Sequence, residues 1–184
     1  PDSASRALAV ALARHGIEEA GAACEILCAR DLNSRLARGR GKLDVDLDLM
    51  MAVAGGIRGS VARDVEFTCG KVGARKRYSA GLPPGAEAVV EEDGRSTYLV
   101  PGLGRASFVV DADDAEPLVS MASVIGKYVR EVAMESIHRF VAAIVPMGRR
   151  PSGYRDPVTA AYLDRSRPFL RRAGVPDECL ERSR

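Results

Sequence analysis

The 184-residue chain lacks several features that would place it in a special class of protein. It contains no apolar run near the roughly 20 residues that a membrane span requires, and no signal peptide is visible. Its four cysteines have no metal-binding spacing and are too few for a disulfide framework in a chain of this length. With 46% hydrophobic and 28% charged residues, the sequence predicts one globular, cytoplasmic domain over residues 1–184, with no membrane association.

The chain also has almost no net charge, because its basic and acidic residues nearly balance. The net charge is +2, from 27 basic and 25 acidic residues, so it does not by itself indicate a nucleic-acid partner. The basic residues are clustered, however, in a basic turn at residues 71–77 and in the C-terminal third of the chain. Such clusters are typical of a surface that faces phosphate, and equally of a solvated arginine-rich surface. Both interpretations stay open at this point.

The hydrophobic pattern predicts an α/β domain with a mixed sheet. Helices are predicted at residues 4–14, 118–144 and 157–173, and a hairpin joins strands 86–92 and 96–100 through Asp93-Gly94. Further strands are predicted at 22–29, 64–69 and 106–111. Residues 43–57 fit either a strand or a helix, and the helix is favoured. Cys24 and Cys28 are predicted to pack in the core.

Three carboxylates follow the strand that ends near residue 111: Asp111, Asp113 and Asp114. Carboxylates this close together repel one another unless a cation or basic groups gather them, and Mg²⁺ is commonly bound by one or two of them. A solvated acidic turn before the next helix is the alternative, because acidic residues are favourable near a helix N-terminus. On the following helix a polar stripe recurs at intervals of three and four, formed by Ser120, Ser123, Lys127 and Arg130.

These residues resemble the ribonuclease HII family. In that family an Asp at the end of a strand precedes a helix reading roughly V-S-A-A-S-I-x-A-K-x-x-R-D, and residues 119–131 here match it without a gap, with Gly126 before the Lys and Glu131 in last place. The family then has G-x-G-Y-P-x-D-P. This chain has Gly153-Tyr154-Arg155-Asp156-Pro157, one residue shorter between Tyr and Asp. The two motifs cover about 40 residues in the family's order.

The resemblance implies a ribonuclease H-like mixed sheet flanked by helices, with a C-terminal helical portion. It implies a monomeric endonuclease that cuts the RNA strand of RNA–DNA hybrids, or ribonucleotide-containing duplexes, with Mg²⁺ or Mn²⁺. Asp113 would be the catalytic carboxylate, and it would bind the metal together with Asp114. Substrate binding would fall to the basic turn, the polar stripe and one aromatic residue: Lys71, Arg75, Ser120, Ser123, Lys127, Arg130 and Tyr154.

The chain also departs from the family's pattern. The family's first two carboxylates lie in a strand reading G-x-D-E-A-G, which residues 16–21 resemble only loosely, after a helix rather than in a strand. The sequence therefore predicts a domain that is incomplete at its N-terminus. The family's third carboxylate should end the strand at 65–69, where this chain has Cys69-Gly70. A catalytically inactive, nucleic-acid-binding relative is consequently the alternative function.

Overall fold

The computed structural model describes residues 3–17, 21–61, 65–145, 151 and 157–183. Within these residues the chain forms a four-stranded mixed sheet flanked by helices, as the sequence predicts at the level of an α/β domain. The helices are α1 (Ser3–Arg14), α2 (Ala29–Ala37), α3 (Lys42–Ser60), α4 (Ala112–Ala115), α5 (Pro117–Ile144) and α6 (Pro157–Arg172). The strands are β1 (Glu66–Gly70), β2 (Glu87–Glu91), β3 (Arg95–Val100) and β4 (Gly104–Val109).

The order of strands across the sheet is β1-β4-β3-β2. Strands β2, β3 and β4 form an antiparallel meander, and the predicted hairpin around Asp93-Gly94 is its first connection. Strand β1 joins the meander in parallel with β4, in a register that pairs Glu66 with Arg105 and Gly70 with Val109. Because β1 and β4 run in the same direction, both end at the same edge of the sheet.

The main core lies between the sheet, α3 and the segment that follows β1. Three aromatic rings form its centre: Tyr78 stacks on Phe108 with ring centroids 3.9 Å apart, and Tyr98 meets both rings edge-on at 6.3 Å. All three are fully buried, together with Leu47 from α3. Aromatic rings bury the most apolar surface per residue, so these side chains hold α3 and the basic turn against the sheet.

A second, smaller core joins the end of α5 to α6 and the C-terminal tail. Val141, Val145, Tyr162 and Leu170 are buried there. The tail is fixed in addition by Asn33 of α2, whose side-chain amide donates to the carbonyl oxygens of Glu178 and Glu181 at 3.2 and 2.8 Å. Its oxygen accepts a hydrogen bond from the amide of Ser183 at 2.6 Å.

The prediction of a strand over residues 22–29 is wrong. Residues 21–28 form no regular element, and α2 begins at Ala29 with the Cys28 thiol accepting a hydrogen bond from the amide of Asp31 at 3.4 Å. Cys24 and Cys28 are both exposed, so they do not pack in the core as predicted. None of the four described strands pairs with this apolar run, and a strand without a partner is not stable.

The segment at 43–57 is helical, as the sequence favours, and lies within α3. Among the residues described, no helix has the length and apolar content to cross a membrane.

Candidate nucleic-acid and metal site

The parallel pairing of β1 and β4 brings three chain segments to one edge of the sheet. The amide of Lys71, just after β1, donates to the carbonyl oxygen of Val109 at 2.9 Å. The amide of Val110, just after β4, donates to the carbonyl oxygen of Gly94 in the β2–β3 connection at 3.0 Å. Helix α4 follows at once and contacts β1. We call this region, with Gly70, Lys71, Asp111, Asp113 and Asp114, the carboxylate edge.

The carboxylates reach this edge through a sharp turn between β4 and α4. Asp111 has a left-handed backbone (φ 48°, ψ 39°), which Asp tolerates better than most residues. Its carbonyl oxygen accepts a hydrogen bond from the amide of Asp114 at 3.1 Å. Ala112 is buried and anchors α4, while Asp111, Asp113 and Asp114 are exposed. Three carboxylates are thus displayed to solvent above the ends of β1 and β4.

The residue at which the family resemblance implies a third carboxylate, Gly70, also lies at this edge. Gly70 ends β1, and a Cβ atom built there would meet no atom within 4 Å. The neighbouring Cys69 is half-buried, and burial raises the pKa of its thiol to about 11. In the absence of a metal ion this thiol is therefore protonated at neutral pH. In the described part of the chain, no three or more His, Cys, Asp or Glu side chains are grouped so that they could hold a metal ion.

The backbone of the basic turn is fixed against the fold, while the side chains of Lys76 and Arg77 are 64 and 83% exposed. Tyr78 at its end is fully buried. The Tyr78 hydroxyl accepts a hydrogen bond from the amide of Val72 at 3.0 Å, and its own amide donates to the hydroxyl of Tyr98 at 2.9 Å. The Tyr98 hydroxyl in turn donates to the carboxylate of Glu91. This chain of hydrogen bonds fixes the backbone of the turn against β2 and β3.

The cations of the turn are also engaged within the protein. The ammonium of Lys71 donates to the carbonyl oxygens of Glu92 and Asp93 at 3.0 and 2.8 Å. The guanidinium of Arg75 pairs with the carboxylate of Asp44 in α3 at 2.6 Å. The hydrogen bond from Arg75 lowers the pKa of Asp44, which keeps this carboxylate ionised.

The two remaining cations of the turn, Lys76 and Arg77, pair with Asp93 and Glu91. A substrate phosphate would therefore compete with protein partners for the side chains of the basic turn.

The polar stripe lies on one face of α5, as the sequence predicts. Ser120 and Lys127 are exposed, whereas Ser123 and Arg130 are half-buried. The guanidinium of Arg130 contacts the carboxylate of Glu131 at 2.5 Å. Because α5 starts beside the carboxylate edge and α5 also contacts β1, the exposed members of the stripe extend from that edge along the helix. Tyr154, Gly153 and Asp156 of the second motif lie outside the described residues, as do Glu18 and Glu19.

Two features of this region escape sequence analysis. The first is the conformation of Asp111, for which an Asp after a strand gives no specific signal. The second is the orientation of α5, which the helical spacing of its apolar residues does not determine. Leu118, Val124 and Tyr128 are 72, 63 and 69% exposed. Comparisons of this chain with family models, with curated proteins and with solved structures each found no match.

Proposed function

We propose that the chain is a ribonuclease HII-like domain with a ribonuclease H-like fold, and that it acts as an endonuclease on the RNA strand of RNA–DNA hybrids or on ribonucleotide-containing duplexes. The observation that supports this most is the carboxylate edge. Parallel β1 and β4 end at the same edge of the sheet, which supports a shared site for position 70 and Asp113 although they are 43 residues apart in the sequence. The helix motif starts directly after this site.

The described residues provide some, but not all, of the carboxylate ligands that a divalent metal ion would need. Asp113 and Asp114 would bind Mg²⁺ or Mn²⁺ through one or both carboxylates, which is a usual number for Mg²⁺ when substrate phosphate provides further ligands. When bound, such an ion activates water for attack on a phosphodiester and stabilises the leaving oxygen. Gly70 provides no third carboxylate, so the site as described binds metal more weakly than a complete cluster.

Substrate contact is assigned first to the exposed part of the polar stripe. Lys127 provides a cation and Ser120 a hydroxyl donor on the surface of α5. Both groups suit phosphate oxygens, which account for most protein contacts to nucleic acids. Ser123 and Arg130 would contribute less because they are half-buried. Lys71 and Arg75 would mainly hold the turn in place, and Tyr154 would lie against a sugar or base of the substrate.

A nucleic-acid-binding relative without catalysis is the second candidate. The specific observation that favours it is Gly70 at the end of β1, where a nuclease of this family has a carboxylate. This candidate keeps the polar stripe and binds hybrids independently of metal, because phosphate binding by Lys and Ser does not require an ion.

Cleavage of a labelled RNA–DNA hybrid, with Mg²⁺ or Mn²⁺ and with EDTA, tests the proposal. We expect metal-dependent cutting, and a loss of at least about 100-fold in Asp113→Asn, since even outer partners of metal ligands contribute 10–100-fold. Lys127→Ala should weaken hybrid binding and reduce its salt dependence. Metal-independent binding without cutting would favour the inactive relative, and the absence of both would refute the family assignment.

The variant Gly70→Asp tests whether a third carboxylate at this position increases metal binding and cleavage. A side chain at position 70 meets open space, so the substitution is compatible with the fold. We expect at least about a tenfold rise in metal affinity or cleavage, because ligand number and charge set the affinity of such sites. Gly70→Asn is the matched control, with the same shape and no charge. Equal activity of the two variants would show that position 70 does not belong to the metal site.

A further inference from the structure

The acidic end of the β2–β3 hairpin lies against the cations of the basic turn. We call this end the acidic tip, and it consists of Glu91, Glu92 and Asp93. Lys76 pairs with Asp93, and Arg77 pairs with Glu91 at 3.5 Å between the guanidinium Nε and a carboxylate oxygen. Carboxylates and phosphates offer a cation the same kind of negatively charged oxygen acceptor. The acidic tip therefore fills, within the protein, positions that phosphate oxygens could take.

The contact between the acidic tip and the basic turn lies at the carboxylate edge. The carbonyl oxygen of Gly94, the residue after the tip, accepts a hydrogen bond from the amide of Val110, one residue before Asp111, at 3.0 Å. The ammonium of Lys71, a member of the carboxylate edge, donates to two backbone carbonyl oxygens of the tip at 3.0 and 2.8 Å. A nucleic-acid strand placed at the carboxylate edge would therefore lie within reach of the basic turn.

The backbone that carries these cations is fixed, although their charged ends lie in solvent. The buried hydroxyl of Ser96 in β3 donates to the carbonyl oxygen of Lys76 at 2.7 Å. The amide of Tyr78, one residue after Arg77, donates to the hydroxyl of Tyr98 at 2.9 Å. A change of partner for the two exposed cations consequently requires rotation of their side chains and no rearrangement of the sheet.

The two ion pairs differ in how firmly the fold holds the acidic partner. The side chain of Glu91 is 27% exposed, and its carboxylate also accepts a hydrogen bond from the hydroxyl of the buried Tyr98. The side chain of Asp93 is 81% exposed, and its carboxylate pairs with Lys76. Ion pairs this exposed are weak, because water and salt screen them. An incoming phosphate can therefore replace Asp93 at little cost, whereas the fold keeps Glu91 in place.

We propose that Lys76 and Arg77 form a second phosphate-binding surface beside the carboxylate edge, which the acidic tip occupies in the free protein and a nucleic-acid backbone takes over. This inference rests on the proposed function, because it names further contacts to the same nucleic-acid substrate. A strand already bound at the carboxylate edge presents its neighbouring phosphates at a high effective concentration. The strand can therefore displace the exposed carboxylate of Asp93, which competes for Lys76 until then.

Fluorescence anisotropy of a labelled RNA–DNA hybrid, in EDTA so that nothing is cut, tests the proposal. Asp93→Asn should tighten binding about two- to fivefold, the range that an exposed ion pair contributes. Asn-Gly favours the same tight turn as Asp-Gly, so the hairpin is retained. Glu92→Gln is the matched control, because it removes the same charge from a carboxylate that forms no ion pair within the described part of the chain. It should change binding by less than about twofold, since water and salt screen an exposed charge.

Salt dependence and a double variant show whether Lys76 is the cation that is released. Between about 50 and about 200 mM salt, the slope of log affinity against log salt should steepen by up to about one in Asp93→Asn, because the freed Lys76 adds one contact that releases a counterion. In a Lys76→Gln background, Asp93→Asn should have no larger effect than Glu92→Gln, because the two side chains are coupled. Unchanged far-UV circular dichroism shows that each variant is folded.

The outcomes separate this inference from the proposed function. If the wild-type chain binds the hybrid but Asp93→Asn binds no more tightly than Glu92→Gln, the second phosphate-binding surface is overturned and the proposed function stands. The same holds if Asp93→Asn tightens binding equally with and without Lys76. If neither the wild-type chain nor any variant binds the hybrid, the proposed function fails and this inference fails with it.

Discussion

The start of β4 depends on the absence of a side chain at Gly104. Its backbone has φ +116°, a region that side chains rarely adopt. A Cβ atom there would lie 3.3 Å from the carbonyl carbon of Val65 and would overlap the carbonyl oxygen of the same residue. That oxygen accepts the hydrogen bond from the amide of Arg105 at 3.1 Å, the first link between the β1 and β4 segments. Gly104→Ala must therefore disturb the pairing that forms the carboxylate edge.

The expected cost of Gly104→Ala is about 3–7 kcal/mol of unfolding free energy. Backbone strain at a positive φ contributes about 1–3 kcal/mol, the steric overlap about 1–3 kcal/mol, and the weakened hydrogen bond about 1 kcal/mol. Gly102→Ala is the matched control, because Gly102 also has a positive φ of +72° but meets no atom within 4 Å. It should cost only the strain, about 1–2 kcal/mol.

Urea unfolding followed by circular dichroism measures both values, with unchanged m-values as the condition for comparing them. Hydrogen exchange adds a local readout, since the amide of Arg105 should lose protection in Gly104→Ala alone. Equal unfolding free energies for the two variants, within about 0.5 kcal/mol, would refute the close approach of Gly104 to Val65. The parallel β1–β4 pairing described above would then need revision.

Three further predictions concern side chains outside the carboxylate edge. The Tyr162 hydroxyl is buried with no hydrogen-bond partner among the described residues. Tyr162→Phe should therefore leave the unfolding free energy unchanged or raise it by about 1 kcal/mol. A decrease in the unfolding free energy of more than about 1 kcal/mol, measured by thermal unfolding, would show that the hydroxyl has a partner. Burial raises the pKa of the Cys69 thiol to about 11, so its alkylation at pH 8 should be about 100-fold slower than that of an exposed cysteine, measured by peptide mass spectrometry. Hydrogen bonds from Arg171, and to a lesser extent from Arg167, lower the pKa of Asp177 to about 2. The ionised Asp177 therefore stabilises the tail above about pH 4, and this stabilisation is lost as the pH falls towards 2. In acid titrations of the unfolding free energy, Asp177→Asn should lose less stability over that pH range than the wild-type chain.

The local elements of the fold are predictable from the sequence because their signals are local. The Asp93-Gly94 pair marks the β2–β3 hairpin, and the helical spacing of apolar residues marks α5. The same reasoning fails at residues 22–29, where apolar composition predicts a strand. Whether an apolar run becomes a strand depends on a neighbour to pair with, and that information lies elsewhere in the chain.

The candidate site is predictable in its parts but not in its assembly. The carboxylates at 113 and 114 and the polar stripe stand out in the sequence, whereas the parallel pairing of β1 with β4 is a contact between segments about 40 residues apart. The basic turn shows the same limit. Its charges indicate a solvated or phosphate-binding loop, but the buried ring of Tyr78 and the Arg75–Asp44 pair fix it against the core.

Helix α5 shows that a helical pattern can be predicted while the orientation of the helix is not. An amphipathic helix ordinarily turns its apolar side to the core of its domain and leaves its polar side for ligands. In the first half of α5 the half-buried residues are both apolar and polar, namely Val119, Ser123, Val129 and Arg130. Lys127, in contrast, is exposed. Lys127→Ala should therefore weaken hybrid binding without changing the free energy of unfolding, which separates a role in substrate binding from a role in the fold.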